Sequence, residues 1–321
     1  MPPTAAPGLY LQGVAQGRQD VNILLFGANG QVGWELQRSL SPLGALTALG
    51  HAQADLEQPL QPLIERLRPQ VIVNAAAYTN VDRAEAEPAR ALRINAEAVG
   101  EIAQAASATG AMLVHYSTDY VFDGENTAPY REDDPTGPVN AYGRSKLAGE
   151  QAIRAVTGCR HLILRTSWVY AMRGQNFART ILERAKTLDR LQVVADTFGA
   201  PTSAELLADV TALALYRTRL GSTGATGTAL EPLLGTFHLV PSGHTSWHEY
   251  ACLLIESARA RGLPIRVSRQ NIEPVPASTF RTTARRPMNS RLDNTLLQQH
   301  LGIELPSWQV HVRRFVEEIA G

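Results

Sequence analysis

The chain has 321 residues, 44% of them apolar, enough for a sizeable core and for about two domains. Thirty Lys and Arg against thirty Asp and Glu cancel, which excludes a general nucleic-acid binder or a basic membrane-surface protein. Two cysteines, Cys159 and Cys252, cannot build a disulfide framework and read as reduced thiols in a cytoplasmic protein.

No window approaches the roughly 18 consecutive apolar residues of a membrane span. Residues 1–20 mix Pro, Gly, Ala and Gln without the basic start and apolar run of a signal peptide, and read as a disordered extension. From there strands and helices alternate. Val21–Phe26 is a buried strand and Gln31–Leu40 a helix; Ala45–Leu49 is a short apolar run, and Leu60–Leu67 is helical. Val71–Val73, Met112–Val114 and His161–Leu164 are further strands, separated by helices over Pro88–Ser107 and Ala141–Ala155. Continuously apolar strands joined by helices of this length predict an α/β fold, a doubly wound parallel sheet of Rossmann type covered on both faces. Residues 21–170 form the expected dinucleotide-binding domain. Residues 171–321 form mainly a smaller α/β substrate domain, with some elements returning to the first sheet. Helices are expected there over Phe177–Lys186, Ala204–Tyr216, Trp247–Ala260 and Trp308–Ile319, and a loop over Gly221–Thr228.

Gly27, Gly30 and Gly33 form a G-x-x-G-x-x-G turn that follows a strand and opens a helix. Only in that context do backbone N–H groups and a helix N-terminus meet a pyrophosphate. The same spacing at Gly221, Gly224 and Gly227 lacks both flanks and carries no such reading. An NAD-preferring site places an acid at the end of the second strand. Here that position holds Gly50, followed by His51, so nothing repels a ribose 2′-phosphate and NADPH is expected, with NADH accepted.

Tyr142 and Lys146 stand four apart on one helix face. Twenty-eight of the thirty basic residues are arginines, so a lysine at this spacing stands out. A nearby ammonium favours a phenolate and equips the tyrosine to exchange a proton with a carbonyl or alcohol oxygen. An exposed surface pair is the bland alternative. Thr118, after the fourth strand, would put a hydroxyl at the carboxyl edge of the sheet, or simply close an ST-turn. Eight arginines and one acid, Glu273, lie between Arg259 and Arg291. They read either as a solvated surface or as a pocket for an anionic group such as a diphosphate.

Taken together, the stretches NILLFGANGQVGWELQRSL, VIVNAAAYTNVDRAE, HYSTDYVFDG, AYGRSKLAGE, LRTSWVY, FGAPTSAELLAD and RPMNSRL resemble the extended short-chain dehydrogenase/reductases, and among them the reductases of nucleotide sugars. The resemblance runs from residue 22 to 292. It implies NAD(P)H-dependent reduction of the 4-keto group of dTDP-4-dehydro-6-deoxy-L-mannose, a step toward a cell-surface polysaccharide precursor. A nucleotide-sugar epimerase and a non-catalytic regulatory subunit on the same scaffold are the alternatives. Tyr142 would donate the proton, Lys146 would lower its pKa and bind the nicotinamide ribose, and Thr118 would hold the ketone. Gly27, Gly30, Gln31, Val32 and Gly33 would meet the pyrophosphate, and Asp55 and Leu56 the adenine. Ala77, Tyr78, Thr79 and Tyr116 would line the cofactor cleft. Asp119, Trp168 and Arg286 would touch the sugar nucleotide. Thr197, after Asp196, departs from the Gln frequent in relatives. The resemblance further suggests a homodimer and Mg²⁺, for which Glu35 is the candidate ligand.

Overall fold

The computed structural model describes residues 21–220 and 233–321; the N-terminal extension and the Gly221–Thr228 loop lie outside the described residues. Five parallel strands follow the expected order: β1 Val21–Phe26, β2 Gly44–Leu49, β3 Val71–Asn74, β4 Met112–Thr118 and β5 His161–Thr166. A sixth, Gly235–His238, comes from the C-terminal half and pairs in parallel with β5, His238 opposite Arg165. Across the sheet the order is Gly235–His238, β5, β4, β3, β1, β2. The chain leaves β1 for β2 on one side and returns to β3 on the other, and a crevice opens at that reversal, at the carboxyl ends of the strands.

Alternate side chains of each strand enter opposite cores. Leu24, Phe26, Ile72, Leu113 and Ile163 pack under the helix Ala98–Thr109. Ile23, Leu25, Val73, Val114 and Leu164 pack under the helices Gln31–Leu40 and Ala204–Leu220. A separate core in the C-terminal half gathers Tyr170, Leu254, Ile255, Trp308 and Phe315. Among the described residues no helix is long and apolar enough to cross a membrane.

The expected helix over Pro88–Ser107 is not continuous. Helical turns at Pro88–Leu92 and Ala98–Thr109 flank a wider π turn, Arg93–Glu97. Such a turn inserts one residue and re-aims side chains. Here Asn95 accepts the Tyr78 N–H at 2.8 Å and donates to the Tyr78 carbonyl at 3.0 Å and to Ser145 Oγ at 2.9 Å. Its carbonyl lies so close to Gly149 that a Cβ there would stand 2.1 Å away. Polar pairing of one buried amide outweighs the regular helix that propensity favours.

The helix Ala141–Arg154 is fastened to β5 by a charge pair. Arg165 donates from Nε to Glu150 Oε1 at 2.8 Å and from Nη2 to Oε2 at 2.7 Å, and both side chains are buried. Burial works to raise the Glu150 pKa, and the bond to Arg165 overcomes it and leaves the carboxyl below 4.5. Replacing Arg165 by Met leaves a buried carboxylate without its main partner and should cost about 3–5 kcal/mol of unfolding free energy in urea titrations at pH 7. Because the Glu150 pKa is depressed, its contribution is full above pH 4.5 and is lost as pH falls through the folded value. The gap between wild type and variant should therefore narrow in acid; a gap below about 1 kcal/mol at pH 7 would show the pair to be dispensable.

Candidate functional site

The crevice at the switch point is a cavity of about 760 Å³. Its wall is built from the carboxyl ends of β1, β3, β4 and β5: Gly27, Ala75 to Ala77, Thr118 and Thr166 to Trp168. Asp55 and Leu56 line it beyond β2, and Tyr142 and Lys146 line it from the helix Ala141–Arg154.

The glycines at one end pass a test for a dinucleotide. Gly27 has φ +81°, and a Cβ on it would stand 2.6 Å from Ala76 N. A Cβ on Gly33 would stand 2.0 Å from Gly27 O. These two positions let the turn fold tightly against the helix and against β3. Gly30 has no side chain to cap the helix Gln31–Leu40, so the first amides of that helix are left for a ligand. Gln31 and Val32 line the cavity beside them, and the Gln31 amide oxygen accepts from Asn176 Nδ2 at 2.9 Å.

Asp55 Oδ1 accepts the Glu57 N–H at 3.0 Å and stands 3.6 Å from His51 Nδ1. Gly50 ends β2 without a carboxylate, and a Cβ there would meet Asn29 Nδ2 at 2.4 Å. Sequence reasoning missed Arg90, a cation on this wall whose guanidinium is held by Glu57 at 2.8 Å. Its position on a short Ala-rich helix carries no motif that would reveal it.

At the far end the acid–base groups converge. Burial pushes Tyr142 up to about 12, and a hydrogen bond with Thr118 pulls the other way. The expected lowering of this phenol by Lys146 is not among the causes of its shift. Lys146 Nζ is turned instead to the Tyr116 carbonyl at 2.7 Å and to His115 Nε2 at 3.1 Å. Burial lowers the ammonium to about 8, with Glu150 opposing. Thr118 Oγ1 donates to Asp119 Oδ1 at 3.0 Å and accepts the Tyr120 N–H at 3.2 Å. Asp119 is buried and its carboxyl is raised to about 7 by desolvation, against hydrogen bonds with Ser290 and Thr118. Asp119 lines the cleft.

Not every expected residue turns its side chain into the cleft. Thr79 lines it, but Tyr78 does not; its hydroxyl reaches Glu87 at 3.0 Å. Tyr116 lines the cleft through its backbone side, while its hydroxyl meets Thr211 at 2.7 Å in the core. Trp168 lines the cleft with φ +47°, a left-handed conformation that costs energy for a bulky residue, and stacks on Trp247 with ring centroids 3.6 Å apart. Arg286 is not among the lining residues. Its guanidinium is engaged by Asp82 at 2.6 Å, next to Tyr120 at the rim. Asp196 Oδ1 accepts the Ala277 N–H at 2.8 Å, and neither it nor Thr197 lines the cavity. Glu35 faces Arg38 at 3.6 Å; among the described residues the one cluster of three metal-ligating groups is His248, Glu249 and Cys252, which does not include it.

Comparison with known proteins places this arrangement. The family model described as RmlD substrate binding domain matches residues 21–320. The dTDP-4-dehydrorhamnose reductase of Escherichia coli K12 is 48% identical over 305 residues, covering 93% of this chain and 98% of that one. That of Burkholderia thailandensis is 48% identical over 303 residues, covering 93% and 99%. The crystal structure of dTDP-4-dehydrorhamnose reductase from Bacillus anthracis in complex with NADP superposes with a TM-score of 0.81 at 33% identity, covering 94% of this chain and all of that one. With a family model across nearly the whole described chain and relatives at this identity, the chain belongs to the dTDP-4-dehydrorhamnose reductase family.

Proposed function

We propose that the chain reduces the 4-keto group of dTDP-4-dehydro-6-deoxy-L-mannose to the alcohol of dTDP-L-rhamnose, with NADPH as reductant. The observation that carries this reading is Tyr142, half-buried in the same crevice that Thr118 and the glycine turn line. When bound, the nicotinamide supplies the hydride. Everything else falls to side chains. The turn Gly27–Gly33 and the first amides of its helix would hold the pyrophosphate, and Lys146 the nicotinamide ribose. Thr118 and Tyr142 would both hydrogen-bond the ketone oxygen, and Tyr142 would give it a proton as negative charge develops there. A phenol raised to about 12 is fully protonated at neutral pH, as an acid must be. Trp168 and Asp119 would face the sugar.

A nucleotide-sugar epimerase would need a base to take the proton of a sugar hydroxyl while the hydride passes to a retained, oxidised nicotinamide, and would consume no added cofactor. An active chain should instead consume added NADPH in proportion to product, read as loss of absorbance with the 4-keto-L-sugar nucleotide supplied. Tyr142→Phe keeps the ring and removes the acid, so kcat should fall about 10²- to 10⁴-fold with cofactor affinity nearly intact. A variant that keeps more than about half its activity would mean that another group delivers the proton.

The lack of a carboxylate at Gly50 supports acceptance of NADPH at least as well as NADH. Gly50→Asp should shift the preference toward NADH, the Asn29 amide swinging aside to admit the new side chain. A wild type that strongly prefers NADH would place the reading of the ribose elsewhere, with Asp55 the first group to test.

Arg286 is proposed to meet the diphosphate of the sugar nucleotide by exchanging Asp82 for it. Arg286→Ala should then raise KM for the sugar nucleotide about ten- to a hundredfold and leave the cofactor Kd unchanged. Equal weakening of both, or of neither, assigns Arg286 to the surface pair with Asp82 alone.

A further inference from the structure

His115 is a buried, titratable group that the reaction just described does not use, and it touches Lys146. It does not line the cleft. It sits in β4 with Asn74 of β3 opposite it. The hydrogen bonds around it have a definite polarity. Asn74 Oδ1 accepts the Ala76 N–H at 3.1 Å, so the amide nitrogen of Asn74 faces His115 Nδ1, 3.2 Å away. An amide NH₂ only donates, so Nδ1 accepts and the ring proton of a neutral imidazole resides on Nε2. Burial first, and the nearby Lys146 second, hold this imidazole well below its ordinary pKa, so it is neutral. Its Nε2–H then points at Lys146 Nζ across 3.1 Å. An ammonium there meets a donor with a donor. A neutral amine offers its lone pair and accepts.

From this geometry we propose that His115, oriented by Asn74, is a positioning residue that sets the protonation of Lys146, the group read above as holding the nicotinamide ribose. The inference rests on the reductase reading. An amine at Nζ accepts the His115 Nε2–H, whereas an ammonium there has only the Tyr116 carbonyl to donate to and faces the ring proton unpaired. The other charges around Lys146 are accounted for. Glu150, one turn along the helix, favours the ammonium but is shared with Arg165 of β5 and Arg154 of its own helix. Glu85 meets the N-terminal end of the helix, accepting the Ala141 N–H and facing Arg144. The π turn reaches the helix with the neutral Asn95, and Asp119 acts on Tyr142.

The chain's lysine content makes the test direct. Lys146 and Lys186 are its only lysines, so protein grown with lysine labelled at Cε and Nζ gives two NMR signals, with Lys186, paired with Glu183 at 2.8 Å, as control. In the wild type the Lys146 signal should titrate near 8. In His115→Gln the amide can turn its oxygen to Nζ, so that titration should rise by about one pH unit or more, and the basic limb of kcat should rise with it while KM for the sugar nucleotide stays put. A Lys146 titration that does not move, or moves down, overturns the proposal. Should His115→Gln fail to fold, the long-range nitrogen–proton spectrum of the wild-type ring in contact with Lys146 decides alone: a proton on Nε2 supports the proposal and one on Nδ1 overturns it. NADPH consumption by the wild type and its loss in Tyr142→Phe depend on neither nitrogen, so failure here and failure of the reductase reading are told apart.

Discussion

The helix that carries Tyr142 and Lys146 is held to the sheet through an ion pair that water does not reach. Arg165 and Glu150 are both buried, and each would be costly alone. Together they satisfy one another twice over and draw in more of the fold. Arg165 also donates to the Glu132 carbonyl at 3.2 Å and lies over the Phe122 ring. Glu132 in turn accepts the His238 N–H at 2.9 Å, at the point where the sixth strand joins β5. The C-terminal strand, the loop after β4 and the helix Ala141–Arg154 thus converge on one guanidinium. A planar fork of donors can take both oxygens of a carboxylate and a carbonyl at once, in a fixed geometry that the single nitrogen of a lysine does not offer.

That anchorage matters because burial sets the ionisation of the side chains in and behind the crevice. Burial is the largest cause of the shifts at Tyr142, Lys146, Asp119 and His115. It disfavours whichever form is charged, so it raises the acids and lowers the bases. The phenol stays protonated, the ammonium becomes labile, and a carboxyl beside them titrates near neutrality. These shifts depend on the helix Ala141–Arg154 staying pressed against the sheet. The same sensitivity accounts for the π turn at Arg93–Glu97. It gives up regular helix geometry to put the Asn95 amide between the Tyr78 backbone and Ser145, bracing the helix Ala141–Arg154 from its other face.

How legible was this in the sequence? The six-residue apolar run of β1, the glycines after it and the helix at Gln31–Leu40 are local features, and they stand where periodicity and turn chemistry put them. The four-residue spacing of Tyr142 and Lys146 reports a shared helix face, and both residues do line one crevice. What spacing cannot report is where a side chain's polar end goes. Tyr78 and Tyr116 lie in the expected stretches, yet their hydroxyls leave the cleft for Glu87 and Thr211. Arg286 is paired with Asp82, 204 residues away in the chain.

The sequence by itself determined the parallel sheet, the glycine turn and the shared helix face of Tyr142 and Lys146, because each depends on neighbours within a turn or two and on a hydrophobic period. Tertiary structure alone decided which groups those residues meet. The lysine expected to act on Tyr142 is engaged by His115 and a backbone carbonyl, because β4 and the helix Ala141–Arg154 are pressed together without water between them. In that dry contact a nitrogen's charge is set by the polarity of its hydrogen-bond partners, and those partners come from β3 and β4, strands far from it in the chain.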